Sequence, residues 1–65
     1  MNNIDFLQDS LRSEIILQTL YNKYMMEVSN PEVRQLFTQS RDTKMKNISQ
    51  LQQEIKTIMD QNKAK

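Results

Sequence analysis

The chain has 65 residues, enough for one small domain, and it contains no Gly, no Cys, no His and a single Pro. Nine Lys and Arg residues against eight Asp and Glu residues give a net charge of +1. This composition argues against a sheet protein, because hairpin turns and bulges depend on Gly. It also excludes a Gly-rich phosphate loop, a thiol nucleophile and the usual His or Cys metal ligands.

The remaining classes are correspondingly few. A near-neutral chain lacks the charge excess typical of proteins that bind nucleic acid or acidic membranes, and the longest apolar runs have about three residues. We therefore expect a non-enzymatic, all-α protein without cofactors, which binds neither nucleic acid nor membranes. We expect it to be made in the cytoplasm without a signal peptide.

The pattern predicts two helices within a single helical hairpin domain that covers residues 1–65. Helix one is expected over about residues 4–28, a turn at 29–30, and helix two over about 31–60. The turn is indicated by Asn30, a favoured N-cap, by Pro31, which suits the first helical position, and by Glu32, whose carboxylate favours the helix N-terminus. A connection this short requires the helices to run antiparallel.

The apolar residues of the two helices predict an association face. Helix one projects a stripe over about half of its circumference, which is wider than contact with one neighbouring helix requires. Helix two carries a narrower stripe, and a chain this short has no disulfide or metal site to stabilise it. We therefore expect a homodimer in which two hairpins form a four-helix bundle. The residues assigned to the association face are Leu7, Leu11, Leu17, Tyr21, Tyr24, Met25, Phe37, Ile48, Leu51 and Ile55.

Polar residues interrupt both stripes at the same level. In an antiparallel hairpin that turns near residue 29, facing residues have numbers that sum to about 58–60. Glu14 then faces Lys44, and Gln18 faces Arg41, which predicts an inter-helix polar layer of these four side chains. Three interpretations stay open: side chains that reach water at the rim of the core, a partly buried ion-pair layer that sets register, or a metal or catalytic site. The cations that face Glu14 argue against the third.

Several short segments resemble the spore coat F family of endospore-forming bacteria. The similarity covers about residues 7–51, and the turn segment carries most of it. The resembling segments are Ser13-Glu14, Leu20-Tyr21-Asn22-x-Tyr24 and Glu27-x-x-Asn30-Pro31-Glu32-x-Arg34-x-x-Phe37.

The resemblance implies a ferritin-like four-helix bundle and a structural or assembly role in the spore coat, with other coat proteins as partners. Fuller members of that family carry more than one hairpin, so two copies of this chain would be needed to complete a bundle. Ferritin-like metal proteins use inward Glu residues with a Glu-x-x-His pair, and this chain has no His, so we expect no metal site. Two alternatives remain: a small hairpin regulator that binds another helical protein, and a degenerate ferritin-like protein that has lost its metal.

Overall fold

The computed structural model describes residues 2–63 and contains, within that range, two α-helices and no strand. Helix α1 spans Asn3–Glu27 and helix α2 spans Pro31–Lys63. The two helices pack against each other along their length, and the principal extents are 53 × 18 × 11 Å. The molecule is thus a slab two helices wide and one helix thick, and the all-helical hairpin predicted from the sequence is confirmed.

Helix α1 begins with a reciprocal pair of hydrogen bonds. The Asn2 side chain accepts from the backbone N–H of Asp5 at 3.0 Å, and the Asp5 carboxylate accepts from the backbone N–H of Asn2 at 3.2 Å. This capping box satisfies N–H groups that lack an intrahelical partner at a helix start. The helix therefore begins at Asn3, one residue before the predicted start.

The connection between the helices consists of Val28, Ser29 and Asn30. Val28 has extended backbone angles (φ −75°, ψ 141°), so α1 ends at Glu27 and the turn is one residue longer than predicted. Asn30 begins α2, since its side-chain oxygen accepts from the N–H groups of Glu32 at 2.9 Å and Val33 at 3.1 Å. No described residue has a positive φ, so this turn forms without the glycine that the chain lacks.

One side chain joins the two ends of the connection. The Arg34 guanidinium, in the first turn of α2, donates from Nη2 to the backbone oxygen of Val28 at 2.8 Å. Carbonyl groups at a helix C-terminus lack intrahelical donors, and a cation there also interacts favourably with the helix dipole. Arg34 therefore holds the end of α1 against the start of α2.

Helix α2 is the longer of the two elements. It continues to Lys63, about three residues past the predicted end, because residues 60–63 contain neither Pro nor Gly. Ala64 and Lys65, at the end of the domain predicted to cover residues 1–65, lie outside the described residues. With 33 residues against 25, α2 extends about 12 Å beyond the first residue of α1.

The packing between the helices is shallow. Among residues 2–62, none is fully buried, although most residues at the α1–α2 contact are partly buried. Near the connection three aromatic rings cluster: the Phe37 ring lies 6.1 Å from Tyr21 in a stacked arrangement and 5.5 Å from Tyr24 in a tilted one. This cluster joins α1 to α2 close to the connection.

Candidate functional site

An ion pair crosses the hairpin at the level predicted for the polar layer. Lys44 Nζ lies 3.0 Å from Glu14 Oε2, and the two side chains are 24% and 18% exposed. Both charged ends therefore point into the contact between the helices. This geometry fits a partly buried ion pair that sets register better than it fits two side chains that extend separately into water.

Asn47 donates a second hydrogen bond to the Glu14 carboxylate. Its side-chain Nδ2 donates to Glu14 Oε1 at 2.9 Å, so each carboxylate oxygen has its own donor from α2. Asn47 lies one turn after Lys44, and residues three apart on a helix occupy the same face. The sequence interpretation did not include Asn47. Its spacing from Lys44 was the signal that could have identified it.

These contacts control the ionisation of Glu14. The hydrogen bond from Lys44 and then that from Asn47 lower the pKa of the Glu14 carboxyl below its ordinary value of 4.5. Partial desolvation opposes them, and the positive charge of Lys44 adds a smaller lowering effect. Glu14 is thus held as a carboxylate with both oxygens engaged.

The other two members of the predicted layer do not meet as expected. The Arg41 guanidinium donates from Nη1 to Asn22 Oδ1 at 3.1 Å and to Met25 Sδ at 3.5 Å, both closer to the connection than Gln18. Arg41 also forms an ion pair with Asp42 at 3.0 Å. Gln18 is partly buried and has no side-chain hydrogen bond within residues 2–63. The long Arg41 side chain reaches about one turn along α1, so the polar residues occupy two levels.

The side chains at the two levels can be compared with the requirements of a metal site. Across residues 2–63 no cluster of three or more His, Cys, Asp or Glu side chains could hold a metal ion. The Glu14 carboxylate has Lys44 and Asn47 as donors rather than further acceptors, and a metal site would require converging acceptors. What this arrangement can do chemically is fix the relative position of two helices through a charged contact.

The residues of the predicted association face lie mostly inside the hairpin. Nine of the ten are partly buried, and Tyr24 is exposed. Tyr21 and Phe37, for example, contact each other across the two helices. Much of the stripe on α1 is therefore used to hold α2, and this set by itself leaves little free surface for a second molecule.

Other apolar residues remain uncovered. Ten large hydrophobic side chains in the described range are exposed, and they lie on the flanks of both helices rather than between them. Apart from Tyr24, none of the ten was assigned to the association face. The exposed residues are Phe6, Ile15, Ile16, Leu20, Tyr24, Met26, Val33, Leu36, Met45 and Met59.

A scan against protein-family models, a search of curated proteins and a search of solved structures each found no match. Neither helix, over the described residues, is long and apolar enough to cross a membrane.

The predicted cap of helix two, formed by Asn30, Pro31 and Glu32, lies at the start of α2, where the Asn30 side-chain oxygen accepts from the Glu32 N–H group.

Proposed function

We propose that the protein is a non-enzymatic structural or assembly component that acts through helix–helix association. In this proposal two copies pack their hairpins together and form a four-helix bundle, which is the common way for amphipathic hairpins to cover their apolar surface. The function of the protein is then this association between helices. The ion pair between Glu14 and Lys44 sets the register of the two helices within each hairpin.

The observation that carries this proposal is the absence of any fully buried residue among residues 2–62, together with ten exposed large hydrophobic side chains. A domain of this size normally needs a buried core, a disulfide or a metal to be stable alone. The chain has no Cys, so no disulfide can contribute. Association with another helical surface supplies the missing burial.

The polar level is consistent with such a role. A partly buried ion pair adds little net stability, but it disfavours alternative registers that would leave a charge unpaired. In an assembly protein this matters, because a hairpin whose helices slid by one turn would present a different outer surface. Because the pKa of Glu14 is lowered, the carboxylate and its ion pair persist to a more acidic pH than an ordinary Glu would allow.

We further propose a place for this assembly, in the spore coat. The support is the resemblance to the spore coat F family, which rests above all on the segment from Glu27 to Phe37. In the hairpin this segment contains the Asn30 cap and the Arg34 clamp on Val28. Expression of the tagged full chain in a sporulating host tests the proposal: enrichment in the coat fraction supports it, and retention in the soluble mother-cell extract contradicts it.

The self-association proposal is tested by light scattering over a concentration series, with far-UV circular dichroism on the same samples. A helical species of twice the chain mass that persists to low micromolar concentration is the expected result. A weakly helical monomer at every concentration would contradict self-association and favour a hairpin that regulates a different helical protein. A coupled loss of helicity and mass on dilution would show that folding depends on pairing.

A further inference from the structure

The half of the hairpin away from the connection has one apolar broad face. Two adjacent shallow grooves on this side share Leu11 in their lining: one includes Ile55 and Met59, and the other includes Ile15 and Ile16. We call these five residues the apolar face. They come from both helices, so this surface is continuous across the slab.

An apolar stripe on α2 continues from the apolar face towards the connection. Met45, Ile48, Ile55 and Met59 follow one another at intervals of three, seven and four residues, which keeps them on one side of a helix. Met45 and Met59 are exposed, while Ile48 and Ile55 are partly buried. This apolar stripe, which includes Ile55 and Met59 of the apolar face, therefore follows α2 for about four turns.

A different groove opens between the same two helices in this half of the molecule. Its lining includes the carboxylates of Asp9, Glu14 and Glu54 and no Lys or Arg side chain. Glu14 is paired with Lys44. Ser10, Ser13, Asn47, Gln50 and Leu51 complete the lining. We call this the carboxylate groove. Ser10 and Ser13 differ from Ile15 by about 140–160° around α1, so the groove opens on the other broad side of the slab. Asp9 and Ile16 are seven residues apart and lie together at the outer edge of α1, where the two sides meet.

We propose that the second copy of the chain docks on the apolar face and leaves the carboxylate groove in solvent. This inference rests on the proposed self-association and names the surface that performs it. A slab of 53 × 18 Å presents about 950 Å² in projection, and a stable interface buries about 800 Å² on each partner. A second copy centred on the apolar face must therefore cover most of that broad side to form a stable dimer.

Charge decides between the two sides. Two copies that met through the carboxylate groove in a two-fold arrangement would place Asp9 and Glu54 near the same residues of the partner. Burial of like charges without compensating cations is strongly unfavourable. The five side chains of the apolar face carry no charge, and the charged residues that share their grooves are of both signs, Arg12 and Lys56 with Asp60. A second copy therefore buries hydrocarbon there without a concentration of like charge.

Two matched substitutions on α1 test the choice of side. Ile15 and Phe6 are both exposed, at 42% and 57%, and they lie nine residues apart, which places them on opposite sides of the helix. Ile15→Lys puts a charge on the apolar face, whereas Phe6→Lys puts the same charge on the side of the carboxylate groove. We expect Ile15→Lys to weaken self-association at least about tenfold, measured by light scattering, and Phe6→Lys to leave it unchanged.

A second measurement keeps the inference falsifiable if a lysine variant fails to fold. The chain has no Cys, so Ile15→Cys and Phe6→Cys each introduce a single thiol. The rate at which a thiol reagent labels each variant is measured at protein concentrations above and below the dissociation constant of the dimer. The inference predicts concentration-dependent protection, about tenfold or more, at position 15 only.

The outcomes separate the two proposals. A wild-type dimer in which position 6 is protected, or in which Phe6→Lys dissociates the dimer and Ile15→Lys does not, overturns the choice of face and leaves self-association intact. A dimer in which neither thiol is protected also overturns it. A wild-type chain that stays monomeric at every concentration refutes the proposed function and this inference together.

Discussion

Replacement of Phe37 by Ala should remove the main aromatic contact between the helices. The Phe37 ring packs against Tyr21 and Tyr24 with centroid separations of 6.1 and 5.5 Å. A partly buried Phe takes about 100 Å² or more out of water, which at about 25 cal/mol per Å² corresponds to about 2–3 kcal/mol. A chain of this length is expected to have a free energy of unfolding of about 3–10 kcal/mol, so the loss is a large fraction of the total.

The chain offers a matched control, because its only other Phe lies in a different environment. Phe6 is 57% exposed, and we expect Phe6→Ala to cost about 1 kcal/mol or less. The assay is urea unfolding followed by far-UV circular dichroism, at one protein concentration for all variants, because association contributes to the measured stability.

A third variant separates ring geometry from hydrophobic burial. Phe37→Leu retains apolar volume and loses the ring contacts, so we expect a loss of about 1 kcal/mol. Equal losses for Phe6→Ala and Phe37→Ala would refute the reasoning, since they would mean that the three-ring cluster does not hold the helices together. A Phe37→Leu variant as unstable as Phe37→Ala would show that the rings matter beyond their burial.

Three further predictions concern the ion pair and the connection. Because the pKa of the Glu14 carboxyl is lowered in the folded protein, Glu14 stabilises the fold above pH 4.5, and this stabilisation is lost as the pH falls through the lowered pKa. Thermal melts from about pH 6 to about pH 3 should therefore show a smaller loss of stability for Glu14→Gln than for the unaltered chain. Asn30→Ala should lower the free energy of unfolding by about 1 kcal/mol, whereas Asn30→Asp, which keeps an acceptor, should restore it; equal instability of both would contradict the cap. Arg34→Met should cost about 1 kcal/mol or less through the lost bond to the Val28 oxygen, and an unchanged urea midpoint would show that this bond adds nothing.

The hairpin and the level of its ion pair could be predicted because both depend on local rules. Asn30 and Pro31 have strong positional preferences at helix starts, so they identify the turn without tertiary information. Once the turn is placed, the fixed rise of a helix sets which residues face each other. Glu14 and Lys44 were paired by that arithmetic, and they lie 3.0 Å apart.

Side-chain reach was harder to predict. Counting along the helices places Arg41 level with Gln18, yet a long flexible side chain can contact residues a full turn away, as Arg41 does with Asn22. Asn47 was overlooked for a related reason, since an isolated Asn in a polar helix is usually exposed to water. Its hydrogen bond to Glu14 depends on the packing of both helices.

The residues of the association face were assigned from the apolar stripes of both helices, without division between the contact inside one hairpin and the contact with a second copy. Residues such as Tyr21 and Phe37 first contact the other helix of the same chain. The surface left for a partner is then set by the flanks, where Ile15 and Met59 lie. Periodicity shows which residues are apolar on a face, but it does not divide them between an internal and an external partner.

The unequal lengths of the helices have a consequence for local stability. The last eight or so residues of α2 continue past the start of α1, and a lone helical segment of that length is marginal in water. Amide hydrogens there should exchange with solvent through local fraying, whereas those near the aromatic cluster should exchange only when the helices separate. A gradient of exchange protection along α2 would follow, lowest at the end that carries Met59. Contact between a second copy and that end of α2 would protect these amide hydrogens from exchange. Their exchange rates would then report assembly residue by residue.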